Sequence, residues 1–189
     1  MELRLKTART TKDIDLTFLK RAKKESLSSM ILEELRSLAH RDLNDFFTYR
    51  IEEPQLDLDN APYGGARYPV TALVDGKVFV RFQLDVGADA IVTQIETIRG
   101  TDWLGFCDIP SPIFPMISIE QQFAEKLHAY TLPRLERPNT RVKDLIDMAL
   151  LIRLRSLDLN ILREALKLTF KIRQTHPLPG QLLTHPANT

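Results

Sequence analysis

The chain has 189 residues, a length that suits one domain or one domain with a helical extension. Hydrophobic residues make up 43% and charged residues 27% of it, so we expect a sizeable core and little disorder. The net charge of +1 excludes a general attraction to nucleic acids or membranes, so an anionic ligand must be bound by a local patch.

Two further features concern the compartment in which the protein works. The first residues lack the apolar stretch of a signal peptide, and no run of 18 apolar residues predicts a membrane span. The single cysteine, Cys107, excludes an intrachain disulfide framework and is typical of a protein in the reducing cytoplasm. Because no neighbouring residue would activate the thiol, we expect Cys107 to be a buried small hydrophobic residue.

Alternating apolar residues predict that the first half of the chain is a sheet with one helix. Asp75-Gly76 lies between two such runs and is a strong signal for a hairpin. A helix is predicted over residues 28–39, with Ser28 or Ser29 as its N-cap. The predicted strands cover residues 13–19, 46–51, 67–74, 77–86 and 90–98.

The second half of the chain is predicted to be helical, beginning after three prolines. Ser118 and Gln121 form a capping box that opens a helix to about Tyr130, and two more helices follow over residues 140–154 and 160–173. In the second helix an apolar stripe is expected to be buried: Val142, Leu145, Ile146, Ala149 and Leu150. The sequence thus predicts an α/β core over residues 2–110, a helical part sharing that core over 111–175, and a loose tail over 176–189.

A pair of acidic residues in the first predicted strand is the main candidate for chemistry. Asp13 and Asp15 alternate with Ile14 and Leu16, so the two carboxylates should share one face, roughly 7 Å apart, while the apolar pair enters the core. Such carboxylates repel unless a cation lies between them, and Mg²⁺ binds one or two carboxylates together with substrate phosphate oxygens. The alternative is two solvated aspartates at the end of a strand.

Asp85 extends this candidate site. It lies near the end of the second hairpin strand between Leu84 and Val86, in the same strand phase as Asp13. Three carboxylates at strand ends could hold two metal ions, with Asp85 also serving as the base for an attacking hydroxyl. The alternative is that Asp85 caps a turn with Gly87.

The predicted helices supply further candidates. Lys126 flanks the buried stripe of its helix and could extend to solvent or bind a phosphate. Arg141, Lys143, Asp144 and Asp147 give the next helix both signs of charge. Lys143 and Asp147 could simply pair on the surface, or the helix could orient a nucleotide.

Four stretches together resemble the AbiEii-type nucleotidyltransferase toxins, also called the MenT-like or type IV toxin–antitoxin family. Their order and separations are similar to those of the family from residue 2 to about residue 173. The stretches are residues 8–16 (ARTTKDIDL), 82–87 (FQLDVG), 124–129 (AEKLHA) and 141–147 (RVKDLID).

The resemblance implies an α+β fold: a polymerase-β-like mixed sheet with a C-terminal helical bundle. It implies that Mg²⁺ and a nucleoside triphosphate (NTP) are used to modify an RNA, such as tRNA, or a protein acceptor, and that a separate antitoxin is the partner. Its implied metal ligands are Asp13, Asp15 and Asp85, and its implied catalytic residues are Asp85, Lys126 and Asp144. Its implied nucleotide-binding residues are Arg9, Thr10, Lys126 and Lys143.

This sequence differs from the family pattern at one point. Family members carry a Gly-Gly or Gly-Ser motif just before the segment that matches residues 2–5, and this sequence begins at Met1. Because backbone N–H groups of that motif hold the triphosphate, we expect weak NTP binding and little transfer by these 189 residues. An N-terminally truncated or non-catalytic family member acting as an interaction protein is the alternative. A metal-dependent nuclease using Asp85 with Glu125 and Lys126 is a third and weaker alternative.

Overall fold

The computed structural model describes most of the chain. The described residues are 4, 13–19, 24–43, 45–57, 64–88, 94–103, 105–134, 139–154 and 157–180. The chain divides into two compact units, Thr10–Ala90 and Met1–Arg9 with Ile91–Thr189. Residue 110, where the sequence suggests a boundary, lies inside the second of these units.

The part of the first unit that the structure describes contains a five-stranded mixed sheet and one helix. The central strands follow the order β1-β5-β4-β2, and β3 pairs with β4. Strand β1 runs parallel to β5, whereas β4 is antiparallel to β2, β3 and β5. The elements are β1 (Asp13–Thr17), α1 (Lys24–Ala39), β2 (Phe47–Ile51), β3 (Leu56–Asp57), β4 (Gly65–Val74) and β5 (Lys77–Gly87).

The hairpin of β4 and β5 is confirmed, with one irregularity. Asp75 and Gly76 both have positive φ angles, 49° and 72°, as a two-residue turn that matches the strand twist requires. The pairing register shifts by one residue between Ala72 and Leu73, which marks a β-bulge. On the side of the bulge away from the turn, each residue of β4 therefore pairs with a residue of β5 one position later than in a regular hairpin.

The core of the first unit lies between α1 and one face of the sheet. Leu27, Ile31 and Leu32 of α1 pack with Tyr68 and Val86 of the sheet, among other buried apolar residues. The helix begins at Lys24, so the predicted caps Ser28 and Ser29 lie inside it and that prediction is wrong. Burial of Leu27, one turn before Ile31, stabilises the additional first turn.

Strand β1 forms at the predicted position but at the edge of the sheet. In register, Ile14 lies opposite Leu84 and Leu16 opposite Val86, so both share the face that α1 covers elsewhere. Both side chains are nevertheless exposed, so the prediction that they enter the core is wrong. An edge strand has a sheet neighbour on one side only, which leaves its side chains less covered.

In its described residues, the second unit contains a two-stranded antiparallel sheet, a short 3-10 helix and three α-helices. The elements are β6 (Ile95–Arg99), a short 3-10 helix (Gly105–Cys107), β7 (Ile113–Ile117), α2 (Ile119–Thr131), α3 (Val142–Leu154) and α4 (Leu159–Arg173). Strand β7 was not predicted, because Pro115 argues against a strand. In a sheet of only two strands, a proline without an N–H group is tolerated on the open side. Cys107 is exposed on the short helix, so its predicted burial is wrong.

The three predicted helices are confirmed, and α2 lies against both others. Ser118 caps α2 by accepting a 3.1 Å hydrogen bond from the Gln121 amide. Helix α4 is capped by Asp158 and joined to α2 by a 3.1 Å bond from Gln121 to Thr169, both fully buried. In the described residues, no helix is long and apolar enough to cross a membrane.

Helix α3 presents a different face to the core than its apolar stripe predicts. Val142, Leu145 and Ile146 are exposed, Ile146 to 49%, so their predicted burial is wrong. The buried residues are instead Asp144, Asp147, Met148 and Leu151. Two acidic side chains are buried because they bind a lysine of α2, and the helix rotates accordingly.

Candidate functional site

Two of the three predicted metal ligands are neighbours in the sheet of the first unit. Asp15 and Asp85 are register partners on the parallel strands β1 and β5, so they share one face. Adjacent strands lie about 4.8 Å apart. Asp13 lies two residues earlier in β1, opposite Gln83; its side chain is outside the described part of the chain. The pairing brings the backbones of Asp15 and Asp85 together across 70 residues, whereas convergence of all three carboxylates within one magnesium shell stays a prediction.

Asp85 has a strong partner that the sequence analysis missed. The guanidinium of Arg67, the register partner of Asp85 on β4, donates from Nε to Oδ1 at 2.7 Å and from Nη2 to Oδ2 at 2.6 Å. The Asp85 side chain is only 14% exposed. A forked pair of this kind fixes the plane of the carboxylate.

The donor set on this face fits a divalent cation. Two carboxylates on adjacent strands match the one or two that Mg²⁺ takes from a protein when phosphate oxygens complete its shell. Among the described side chains, no group of three histidine, cysteine or carboxylate residues could hold a metal by itself.

A second polar cluster lies in the second unit, between α2 and α3. Lys126 Nζ donates to Asp147 Oδ2 at 2.7 Å and to Asp144 Oδ1 at 3.4 Å. Asp147 is fully buried and the Lys126 side chain is 17% exposed. Arg141 Nη1 also contacts Asp144, at 3.3 Å. Lys126 therefore does not simply extend to solvent, and Asp147 is not a surface residue paired with Lys143.

Of the three remaining predicted site residues, the structure describes one. Lys143 is exposed on α3, one residue before Asp144. Arg9 and Thr10 lie outside the described residues, so their predicted nucleotide contacts stay predictions.

A histidine cluster in the second unit was not considered from the sequence. His128 of α2 is buried, its Nε2 lies 2.8 Å from the Thr175 hydroxyl, and its ring lies 4.7 Å from that of His176. Burial, with smaller effects from Arg173 and His176, lowers the pKa of His128 to about 4. Burial also lowers the pKa of His176. Both rings are therefore neutral at neutral pH, and they attach the segment after α4 to α2.

The sequence is similar over almost its whole length to one family of known proteins. A family model described as the nucleotidyl transferase AbiEii toxin of type IV toxin–antitoxin systems matches residues 1–188. The chain belongs to the AbiEii nucleotidyltransferase toxin family. No curated protein matches it in sequence.

A solved structure shows the same fold. The nucleotidyltransferase toxin MenT4 of Mycobacterium tuberculosis aligns with a TM-score of 0.56 at 16% identity. The alignment covers 87% of this chain but only 50% of MenT4, so the chain spans about half the length of that toxin. The AbiEii-family chain is thus an α+β protein with a mixed sheet and helices, as predicted.

Proposed function

We propose that this AbiEii-family chain is a Mg²⁺-dependent nucleotidyltransferase that transfers a nucleoside monophosphate from an NTP to an RNA, such as tRNA, or to a protein hydroxyl. The observation that carries the proposal is the register pairing of Asp15 and Asp85 on one face of the sheet. It supplies the carboxylates that a metal-bound triphosphate needs, in a family defined by nucleotidyl transfer. A cognate antitoxin is the proposed protein partner.

The proposal assigns one role to each candidate residue. Asp13, Asp15 and Asp85 hold the metal ion, whose charge offsets that of the triphosphate during the reaction. The acceptor oxygen forms a bond to the α-phosphorus, the bond to the β-phosphate oxygen breaks, and diphosphate leaves. Asp85 accepts the proton of the attacking hydroxyl.

The basic residues are assigned to the nucleotide. An ammonium group has three N–H bonds, and Asp147 and Asp144 accept two of those of Lys126. In the proposal, the third is donated to a phosphate oxygen. Asp144 is assigned the role of holding Lys126 and Arg141 in place. Arg9, Thr10 and Lys143 are assigned further contacts with the nucleotide.

A transfer assay tests the proposal. Purified protein is incubated with each α-labelled NTP, Mg²⁺, and total tRNA or a protein mixture, and label on the acceptor is counted. It is run on the 189-residue chain and on the same chain preceded by a Gly-Ser segment, which the resemblance places before residues 2–5. We expect one NTP to label one acceptor class in at least one of the two chains.

Matched variants make the assay specific. Asp15→Asn and Asp85→Asn should each reduce transfer at least about a hundredfold, because each removes a metal ligand. Asp75→Asn makes the same chemical change at the hairpin turn, where asparagine tolerates the positive φ, and should transfer normally. Label transfer that persists in Asp85→Asn, or none from either chain with any NTP and acceptor, contradicts the proposal.

A further inference from the structure

Three charged residues form a row across the face of the sheet opposite α1. Arg67 on β4 pairs in register with Asp85 on β5, and Asp85 pairs in register with Asp15 on β1. Neighbouring members of the row are about 4.8 Å apart at the backbone. The alternate residues Tyr68 and Val86 face α1 in the core, which places Arg67 and Asp85 on the other face.

The forked contact leaves the Asp85 carboxylate able to bind a cation. Two carboxylate oxygens offer about four lone-pair sites, and the two N–H bonds of Arg67 occupy one site on each oxygen. The second site on each oxygen is left for another ligand. Arg67 can therefore fix Asp85 without blocking it.

We infer that Arg67 is a positioning residue that makes this site accept a divalent cation together with a nucleotide rather than a free cation. Arg67 holds the plane of the Asp85 carboxylate, and its charge offsets the negative charge of that carboxylate. A free cation is thus attracted weakly, whereas a cation that arrives on a triphosphate brings its own negative charge. The inference rests on the function proposed above.

A purely structural role for Arg67 predicts a different outcome. The Arg67 side chain is 31% exposed but the Asp85 side chain only 14%, so the forked pair is largely buried. Loss of one partner of such a pair destabilises the fold. The structural alternative therefore predicts lower stability without a rise in metal affinity.

The test measures the affinity for Mn²⁺ alone, without nucleotide, from the loss of the electron paramagnetic resonance signal of free Mn²⁺. Arg67→Gln should bind Mn²⁺ about tenfold more tightly than the unchanged chain, because a positive charge beside the carboxylates is removed. In the transfer assay the same variant should be slower by about tenfold or more, because Asp85 is no longer held. These opposite changes distinguish positioning from general damage, which weakens both.

Three controls complete the experiment. Arg81→Ala removes an exposed charge from the same face of β5, about 13 Å from Asp85 along the strand, and should change neither quantity. Arg67→Lys keeps the charge without the fork, so it should bind Mn²⁺ as the unchanged chain does but transfer slowly. Added guanidinium at low millimolar concentration should restore part of the transfer rate of Arg67→Ala and not that of Asp85→Asn.

Either of two results overturns the inference: Mn²⁺ affinity in Arg67→Gln that is unchanged or lower, or Arg67→Lys that transfers as fast as the unchanged chain. Mn²⁺ binding that is insensitive to both Asp15→Asn and Asp85→Asn also overturns it. Failure of the proposed function appears differently, as absent transfer by both the 189-residue chain and the chain preceded by a Gly-Ser segment, and leaves the Mn²⁺ comparison intact.

Discussion

Lys126 and Asp147 form a 2.7 Å ion pair between α2 and α3, and the Asp147 side chain is fully buried. A buried carboxylate is costly unless a cation and hydrogen bonds satisfy it. The pair therefore explains why α3 turns its acidic side inward and leaves apolar residues such as Ile146 exposed. It also means that Lys126 has a structural role in addition to the phosphate role proposed for it.

Replacement of Lys126 by alanine should therefore destabilise the protein as well as inactivate it. Loss of one partner of a buried ion pair typically costs about 3–5 kcal/mol, and we expect about 3 kcal/mol here because Asp144 and Asp147 lose the same ammonium. Unfolding by urea measures the change. Lys143→Ala, on the exposed side of α3, should stay within about 0.5 kcal/mol of the unchanged chain.

A double variant separates the two roles of Lys126. Lys126→Met with Asp147→Asn removes both members of the pair and should recover about 2 kcal/mol of the stability lost in Lys126→Ala. It should still transfer no label, because no ammonium remains for the phosphate. A double variant that is no more stable than the single one contradicts the buried-pair explanation.

Acid should weaken folding through His128. Its pKa is about 4 in the folded chain, against an ordinary histidine value of 6.5, so the unfolded chain binds the proton more readily between these values. Stability should thus be complete above about pH 6.5, fall as the pH drops toward 4, and lose no more than about 3 kcal/mol through this group. The neighbouring charges are Arg173, which lowers the pKa of His128, and Glu125, which pairs with Arg173.

Urea unfolding at about pH 7 and about pH 4.5 measures this dependence. The variant His128→Gln should lose much of it, whereas the same change at the exposed His40 should not. An equal fall in stability with and without His128 would show that other groups cause the acid sensitivity.

The corrected face of α3 can be checked by a pair of substitutions. Ile146→Lys should change the free energy of unfolding by no more than about 0.5 kcal/mol, because the side chain is exposed. Met148→Ala should cost about 2 kcal/mol or more, because Met148 is buried. The reverse ranking of the two variants contradicts the observed orientation.

The sequence predicted the positions of most elements because their signals are local. The positive φ angles that Asp75-Gly76 tolerates define the hairpin, and Ser118 defines the start of α2. The buried face of helix α3 could not be predicted from local signals. An apolar stripe normally marks the buried face, but in α3 the burial of Asp144 and Asp147 depends on a lysine from another helix.

Only part of the candidate site could be predicted, because only part of it depends on local sequence. Strand phase alone places Asp15 and Asp85 on comparable faces, but Arg67 was not identified. A regular hairpin continued from Val74 and Lys77 pairs Asp85 with Ala66, and only the bulge beyond Ala72 brings Arg67 opposite Asp85. A bulge depends on the packing of the whole sheet, so no local sequence signal predicts it.

Localised cleavage by bound iron tests the central claim, a divalent-metal site at Asp15 and Asp85, most directly. Fe²⁺ with ascorbate and peroxide generates hydroxyl radicals that cut the backbone near the bound ion, and mass spectrometry locates the cuts. We predict two clusters of cuts, around residues 15 and 85, that NTP strengthens, that excess Mg²⁺ suppresses and that Asp85→Asn abolishes. Cuts elsewhere, or cuts at these positions that persist in Asp85→Asn, would contradict the account.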